Sequence, residues 1–205
     1  MNVIALNGSP NSNGGVAHGI GVMKKELENE GISVEVIQLG NRSIHGCIDC
    51  RKCRELKRCS IDGDPVNEYL DKIASADGLI LGSPVYYGGI AGTFKCFLDR
   101  LFFLAPKLKF KVGATVVSVR RTGGIAAIHQ LNNYFLLAQM LITPGVYWDV
   151  IHGRTTEEQA QDEEGLQIME IQGQNMAWLL KAVAKGREEI EIPPSQKRKF
   201  TNFIH

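Results

Sequence analysis

No apolar run in this chain of 205 residues is long enough to cross a membrane as a helix. An excess of charge of one sign is missing too. Against 23 basic side chains stand 22 acidic ones, for a net charge of +1. So even a balance gives no global pull toward nucleic acid or anionic lipid, and neither is expected as a partner. The amino terminus, MNVIALNGSP, carries no basic stretch and no apolar segment of signal-peptide length. A cytoplasmic location is therefore expected. In a reducing compartment, structural disulfides are the weaker use of cysteine. Internal repeats and low-complexity tracts are also absent. Cysteine itself is scarce outside one place: of five, four fall within the thirteen residues 47–59.

What is present suits one domain with a substantial core, since 44% of residues are hydrophobic and 22% charged. Short β-branched runs at 3–7, 34–39, 78–82, 112–119 and 146–151 read as strands. Between them, 14–30, 65–75, 91–105, 125–141 and a last segment stopping at Gly186 read as helices. Gly31 closes the first helix, and Asp64 is placed to cap the second with Pro65 at its first position. Phe94, Phe97, Leu98, Leu101 and Ala105 make one apolar stripe; Leu166, Met169, Met176, Ala177, Leu180 and Val183 make another. Such alternation predicts an α/β fold, a parallel sheet covered on both faces. Residues 1–186 are expected to form the domain, with a cysteine-rich loop at 45–62, and 187–205 a basic, proline-containing arm.

In a sheet of this kind, ligands sit beyond the carboxyl ends of the strands, at a switch point in strand order. The loop after the first strand, Gly8-Ser-Pro-Asn-Ser-Asn-Gly-Gly15, runs straight into a helix. Its glycines let backbone N–H groups approach an anion, and Ser9, Asn11, Ser12 and Asn13 add neutral donors. It has neither the G-x-G-x-x-G of dinucleotide folds nor the closing Gly-Lys-Ser/Thr of a P-loop. A mononucleotide phosphate fits better; the bland alternative is a turn rich in turn formers. After the third strand, Ser83-Pro-Val-Tyr-Tyr-Gly-Gly89 offers Tyr86 and Tyr87 as flat faces for a conjugated ring. After the fourth, Arg120-Arg-Thr-Gly-Gly124 offers a guanidinium, and Thr122 is expected to cap the next helix.

Taken together, Gly8-Ser-Pro, Ser83-Pro-Val-Tyr-Tyr-Gly and Phe97-Leu-Asp-Arg100 resemble the flavodoxin-like, NADPH-dependent FMN reductase family. Asn175-Met-Ala-Trp-Leu-Leu180 and Thr201-Asn-Phe-Ile204 extend the likeness over essentially the whole chain. The resemblance implies a three-layer sandwich, a five-stranded parallel sheet in the order 2-1-3-4-5, and bound FMN. Its phosphate would lie at Ser9, Asn11, Ser12, Asn13, Gly14, Gly15 and Val16. Its ring would lie between Pro84, Val85, Tyr86, Tyr87 and Gly88 on one side and Arg121, Thr122, Gly123 and Gly124 on the other. The family commonly has Arg and then Asn-Thr where this chain has Asn11, Gly15 and Val16, so a weaker phosphate grip is expected.

The four cysteines follow the second strand and so lie on the same edge of the sheet. Their spacing is C-x2-C-x2-C-x5-C. Zinc sites usually set two C-x2-C pairs around a longer gap, whereas successive x2 intervals wrap a compact iron–sulfur cubane. The pattern resembles that of iron–sulfur flavoproteins, a branch of the same family, which implies Cys47, Cys50, Cys53 and Cys59 as ligands of a [4Fe-4S] cluster. Zinc, a disulfide or free thiols remain the alternatives. Arg51, Lys52, Arg54, Lys57 and Arg58 interleave the motif and could steer an acidic, ferredoxin-like donor or NADPH. Cys96 is expected to be a packed core thiol, and His45 a surface residue.

The leading expectation is an oxidoreductase that passes electrons between cluster, FMN and a small-molecule acceptor. A second is an NAD(P)H-dependent FMN or quinone reductase without a cluster, and a third a cysteine-based redox or metal sensor. Phe200, Phe203 and Ile204 would be poorly hidden on a lone domain, so the arm is expected to lie on a neighbouring subunit in a homodimer or homotetramer.

Overall fold

The alternating pattern of the sequence resolves into one sheet with helices on both faces. The structure, a computed structural model, describes every residue except 105, 106, 197, 198, 200, 202, 204 and 205. In chain order the elements are β1 (Asn2–Asn7), α1 (Gly15–Asn29), β2 (Ser33–Gln38), α2 (Cys53–Leu56), α3 (Val66–Ser75), β3 (Gly78–Tyr86) and β4 (Gly89–Ile90). They continue as α4 (Gly92–Phe103), β5 (Val112–Val119), α5 (Gly124–Leu137), β6 (Leu141–Ile142), β7 (Val150–His152), α6 (Thr156–Ala160) and α7 (Glu163–Glu189). β2, β1, β3 and β5 lie side by side and parallel.

The fifth position differs from the expected unbroken strand at 146–151. It is filled in two pieces, β6 beside Val112 and Gly113 and β7 beside Val117 to Val119, both parallel to β5. The order 2-1-3-4-5 therefore holds with its last strand interrupted. Gln139, in the left-handed region at φ 58, stops α5 four residues before the expected end at 141 and frees 141–142 for the sheet. Pro144, which has no N–H to give a ladder, then turns the chain out until Asp149 returns to hydrogen-bond Thr115 at 2.9 Å.

Alternation along β1 assigns its residues to two cores. Ile4 and Leu6 join Leu79, Leu81, Phe94, Phe97, Leu101 and Phe135 on the α3, α4 and α5 face. Val3 and Ala5 join Ile20, Met23, Val116, Met169 and Met176 on the α1 and α7 face. The first predicted stripe is thus buried, apart from Ala105, which lies outside the described residues; in the second, Met169, Met176, Ala177 and Leu180 are buried and Leu166 and Val183 are half-buried against them. Full burial of each large side chain contributes about 1.5–3 kcal/mol.

Two helix ends differ from expectation. α3 starts at Val66, with Pro65 in the cap position, because the Asp64 carboxylate is turned mainly toward Arg100. α7 runs through Gly186 to Glu189; ion pairs from Lys185 to Glu188 and Glu189, each 3.1 Å, brace the turn that glycine weakens. No helix among the described residues is long and apolar enough to cross a membrane.

One close approach joins the first two loops. A Cβ on Gly40, just past β2, would lie 2.1 Å from the Ser9 carbonyl carbon and 2.2 Å from its oxygen. The N–H groups of Leu39 and Gly40 both donate to the Asn7 carbonyl, and Gln38 Nε2 donates to the Ser9 carbonyl at 2.5 Å.

Candidate cofactor site

The loop after β1 holds its shape through side chains two residues apart. Ser9 N–H donates to Asn7 Oδ1 at 2.9 Å, Asn11 N–H to Ser9 Oγ at 3.1 Å, and Asn13 N–H to Asn11 Oδ1 at 2.9 Å. These are Asx- and Ser-type turns, which is why the stretch is so rich in Asn and Ser. Because Ser9 Oγ accepts in this ladder, its proton remains available to an anion. The N–H groups of Gly15, Val16 and Ala17 precede the first intrahelical bond of α1, from His18 N–H to the Gly14 carbonyl. One of them already meets an oxygen: Gly15 N–H donates to Gln159 Oε1 at 2.5 Å. Gln159 Nε2 in turn donates to Ser118 Oγ and to the Gly153 carbonyl. Donors aimed at an acceptor, at a helix amino terminus, suit a phosphate. Gln159 carries no sequence signal and was reached only through the fold.

The expected ring-binding stretch is a hairpin rather than a loop. Pro84, Val85 and Tyr86 belong to β3, and Tyr87 and Gly88 form a two-residue turn at φ 49 and 77 before antiparallel β4. Positive φ at both positions marks the type I′ geometry. Tyr87 is fully exposed and Tyr86 about half exposed at 49%. Gln130 on α5 pins the turn by accepting from Ile90 N–H at 3.0 Å.

Gly123, at φ +93, brings the loop after β5 against this hairpin; a Cβ there would sit 3.1 Å from Val85 Cγ1. Gly123 is also the cap residue of α5, and Thr122 makes no capping bond, contrary to expectation. Arg121, Thr122, Gly123 and Gly124 border a cavity of about 480 Å³ that Tyr147, Trp148 and His152 also line. The aromatic pair of residues 147 and 148 sits where a strand was expected, so its exposure was not foreseen.

The four clustered cysteines line one cavity, together with Ile48, Ile61, Phe103 and Leu104. All are free thiols, Cys47 and Cys50 exposed, Cys53 and Cys59 half-buried. Asp49, Arg51 and Lys57 take left-handed backbone at φ 48, 58 and 56, coiling the loop tightly between its cysteines. Hydrogen bonding from the Ser60 hydroxyl, 3.1 Å from Cys50 Sγ, holds that thiol's pKa below its ordinary value. Of the five basic residues, Arg51 pairs with Asp49 and Arg58 with Asp62. Cys96 is half-buried rather than in the core; a Cβ on Gly46 would lie 3.7 Å from its sulfur.

Cys59 is held at both ends. Its N–H donates to Asn67 Oδ1 at 2.8 Å and its carbonyl accepts from Asn67 Nδ2 at 3.0 Å. Its sulfur accepts from Arg100 Nε at 3.2 Å and Nη2 at 3.1 Å. Two guanidinium donors converging on one sulfur suit a thiolate, the form that ligates metal, better than a thiol, which is a weak acceptor. Among the described residues no three His, Cys, Asp or Glu side chains are grouped to hold a single metal ion. A tetrahedral zinc site would need thiolates about 3.8 Å apart, from Zn–S bonds of about 2.3 Å. All four thiols line one small cavity, of about 20 Å³, and four cysteine sulfurs are the donor set that an iron–sulfur cubane takes.

A flavodoxin-like sheet with a phosphate-type loop on its ligand edge defines the class, and the comparisons narrow it. The family profile described as NADPH-dependent FMN reductase matches residues 1–154, and the chain belongs to that family. An iron–sulfur flavoprotein of Methanocaldococcus jannaschii is 33% identical over 194 residues, covering 90% of this chain and 100% of that one. Another, from Methanosarcina thermophila, is 27% identical over 196 residues, covering 92% and 100%. Among solved structures, RosB superposes with a TM-score of 0.69 at 17% identity, covering 100% of this chain and 93% of that one. A flavodoxin from the domain Archaea gives 0.60 at 16%, covering 88% and 99%. The chain is a flavin-dependent oxidoreductase.

Proposed function

We propose that this oxidoreductase holds FMN at its three loops and a [4Fe-4S] cluster on Cys47, Cys50, Cys53 and Cys59, and passes electrons to a small-molecule acceptor. The observation that carries the reading is the set of four thiols around one cavity, one of them taking two N–H donors from a buried arginine. The name iron–sulfur flavoprotein, borne by relatives matched over nearly the whole chain, supports it. When bound, FMN supplies two-electron chemistry and the cluster one-electron transfer. The chain's part is placement. Ser9 Oγ and the first-turn N–H groups of α1 hold a phosphate, with Asn11, Ser12, Asn13, Gly14, Gly15 and Val16 shaping the seat. Tyr86, Tyr87 and Gly88, facing Gly123 and Gly124, bound the place for a ring, and Arg121 supplies positive charge beside it. Ile48, Ile61, Phe103 and Leu104 give the thiols an apolar wall.

NAD(P)H or an acidic, ferredoxin-like protein would supply the electrons, drawn to Lys52, Arg54 and Lys57. The domain would end with α7, and the arm, with Phe203 94% exposed, would pack on a second copy in a homodimer or homotetramer. Truncation after Ile190, followed by sizing, tests that assembly; an unchanged mass removes the arm from it.

Anaerobic reconstitution tests the cofactors. About four irons and four sulfides per chain are expected, as a four-cysteine cubane requires. Cys50→Ala should abolish the broad iron–sulfur absorbance and leave FMN bound. One zinc and no sulfide would leave an NAD(P)H-dependent FMN or quinone reductase; no flavin and no metal would leave a thiol sensor.

A further inference from the structure

Arg100 stands on α4 among Phe94, Phe97, Leu98 and Leu101, with its side chain 1% exposed. A cation in such a place is costly unless every donor is met. All five guanidinium N–H groups have acceptors. Nη1 donates to the Asp64 carboxylate and to the His45 carbonyl at 3.1 Å; Nη2 donates to the Ile61 carbonyl at 3.1 Å and to Cys59 Sγ at 3.1 Å; Nε donates to the same sulfur at 3.2 Å. Asp64, itself 2% exposed, offsets the charge. Three of the four partners are thus what any buried arginine needs. The fourth is a cysteine sulfur, taken twice.

No other clustered cysteine is treated this way. Cys50 has one hydroxyl neighbour, Ser60, and no side-chain hydrogen bond reaches Cys47 or Cys53 among the described residues. Asn67 fixes the Cys59 backbone independently, so the arginine is not needed merely to bring Cys59 into the loop.

We propose that Arg100 is a positioning residue that sets the midpoint potential of the cluster, through its two N–H···S bonds to Cys59. The inference rests on the cofactor reading above. An added electron increases negative charge on the thiolate sulfurs, so donors aimed at one of them favour the reduced form and raise the potential. The paired Asp64 cancels much of the charge at a distance. What remains is short-ranged and directed at Cys59.

The test uses Arg100→Lys and Arg100→Gln in the full chain, reconstituted anaerobically and titrated with dithionite under EPR, where one electron enters and no bond forms or breaks. Lysine keeps the charge but cannot pair with Asp64 and give two parallel donors to sulfur. The expected result is iron content near that of the parent in Arg100→Lys and a midpoint shifted negative. A tenfold loss in the reduction equilibrium corresponds to about 59 mV for one electron. Arg100→Gln should shift at least as far; if it loses its iron, Arg100→Lys decides. Arg58→Gln removes an exposed cation of the same loop and should shift the midpoint much less. An unchanged midpoint in Arg100→Lys, or an equal shift in Arg58→Gln, overturns the assignment. A parent protein that takes up no iron overturns the cofactor reading and this inference with it.

Discussion

The loops after β1 and β2 lie on the same edge of one sheet and are built by opposite means. The first is stitched by side chains reaching two residues along the chain, at Asn7, Ser9 and Asn11. The second is held from outside, by Arg100 on α4 and Asn67 on α3. A locally stitched loop keeps its donors near solvent and available for a ligand. An externally clamped loop fixes side chains, here a sulfur, at the cost of depending on a buried ion pair. Substitutions on α3 and α4 should therefore reach the cysteine loop more directly than the phosphate seat.

The largest effect expected from that contrast is at Asp64. Asp64→Ala strands the buried Arg100 cation, and breaking such a pair typically costs about 3–5 kcal/mol. Denaturant unfolding of the metal-free protein should show it, and a loss under 1 kcal/mol, by contrast with that rough range, would mean the clamp is not carrying the loop. A buried carboxylate with no paired cation among the described residues gives the opposite sign. Burial pushes Asp149 up to about 6 from 3.8, against the lowering pull of the Thr115 hydroxyl. Its folded pKa is raised, so the fold binds this proton more tightly than the unfolded chain does. Stability is greatest below pH 3.8, falls as pH rises through about 6, and levels off above. Asp149→Asn should remove that fall and gain up to about 3 kcal/mol at neutral pH, at roughly 1.4 kcal/mol per unit. Parallel pH profiles for parent and variant would discard the idea.

At the stitched loop the effects move to ligand affinity. Ser9→Ala with Asn13→Ala should weaken FMN binding at least roughly tenfold, since one bond to a charged group contributes about 1.5–3 kcal/mol. The unfolding midpoint should hardly move. Flavin titration reads the first and thermal denaturation the second; a large fall in stability would show that the stitching is more than local. The smallest effect belongs to Gln159→Ala. Removing the acceptor already on Gly15 N–H should tighten FMN severalfold, whereas weaker binding would mean that the amide turns to donate to the phosphate.

How much could be read in advance follows the same division. β5 was predicted to the residue, because Val112 to Val119 is buried throughout and bounded by turn signals. The Asn- and Ser-rich loop declared itself because its bonds span two residues. The pairing of Arg100 with Asp64 and Cys59 spans 36 and 41 residues and leaves no local trace beyond an arginine on an apolar helix face. The fifth strand was misjudged for a related reason. Leu141 looks like the end of α5 until Gln139 takes a left-handed turn, which no propensity favours at glutamine. Tyr147 and Trp148 looked like strand residues because aromatics favour strands, yet they lie in the interruption between β6 and β7.

Gly40 gives the two loops a common hinge pin. Even a methyl group there would overlap the Ser9 backbone, and Gln38 ties the same carbonyl from below. The phosphate seat and the chain that leads to the cysteine loop therefore share one contact. Whatever change in affinity this contact transmits from one loop's ligand to the other's is equal in both directions. In the proposed two-cofactor protein, the order of loading then becomes a matter of rate, since the final balance is the same by either route.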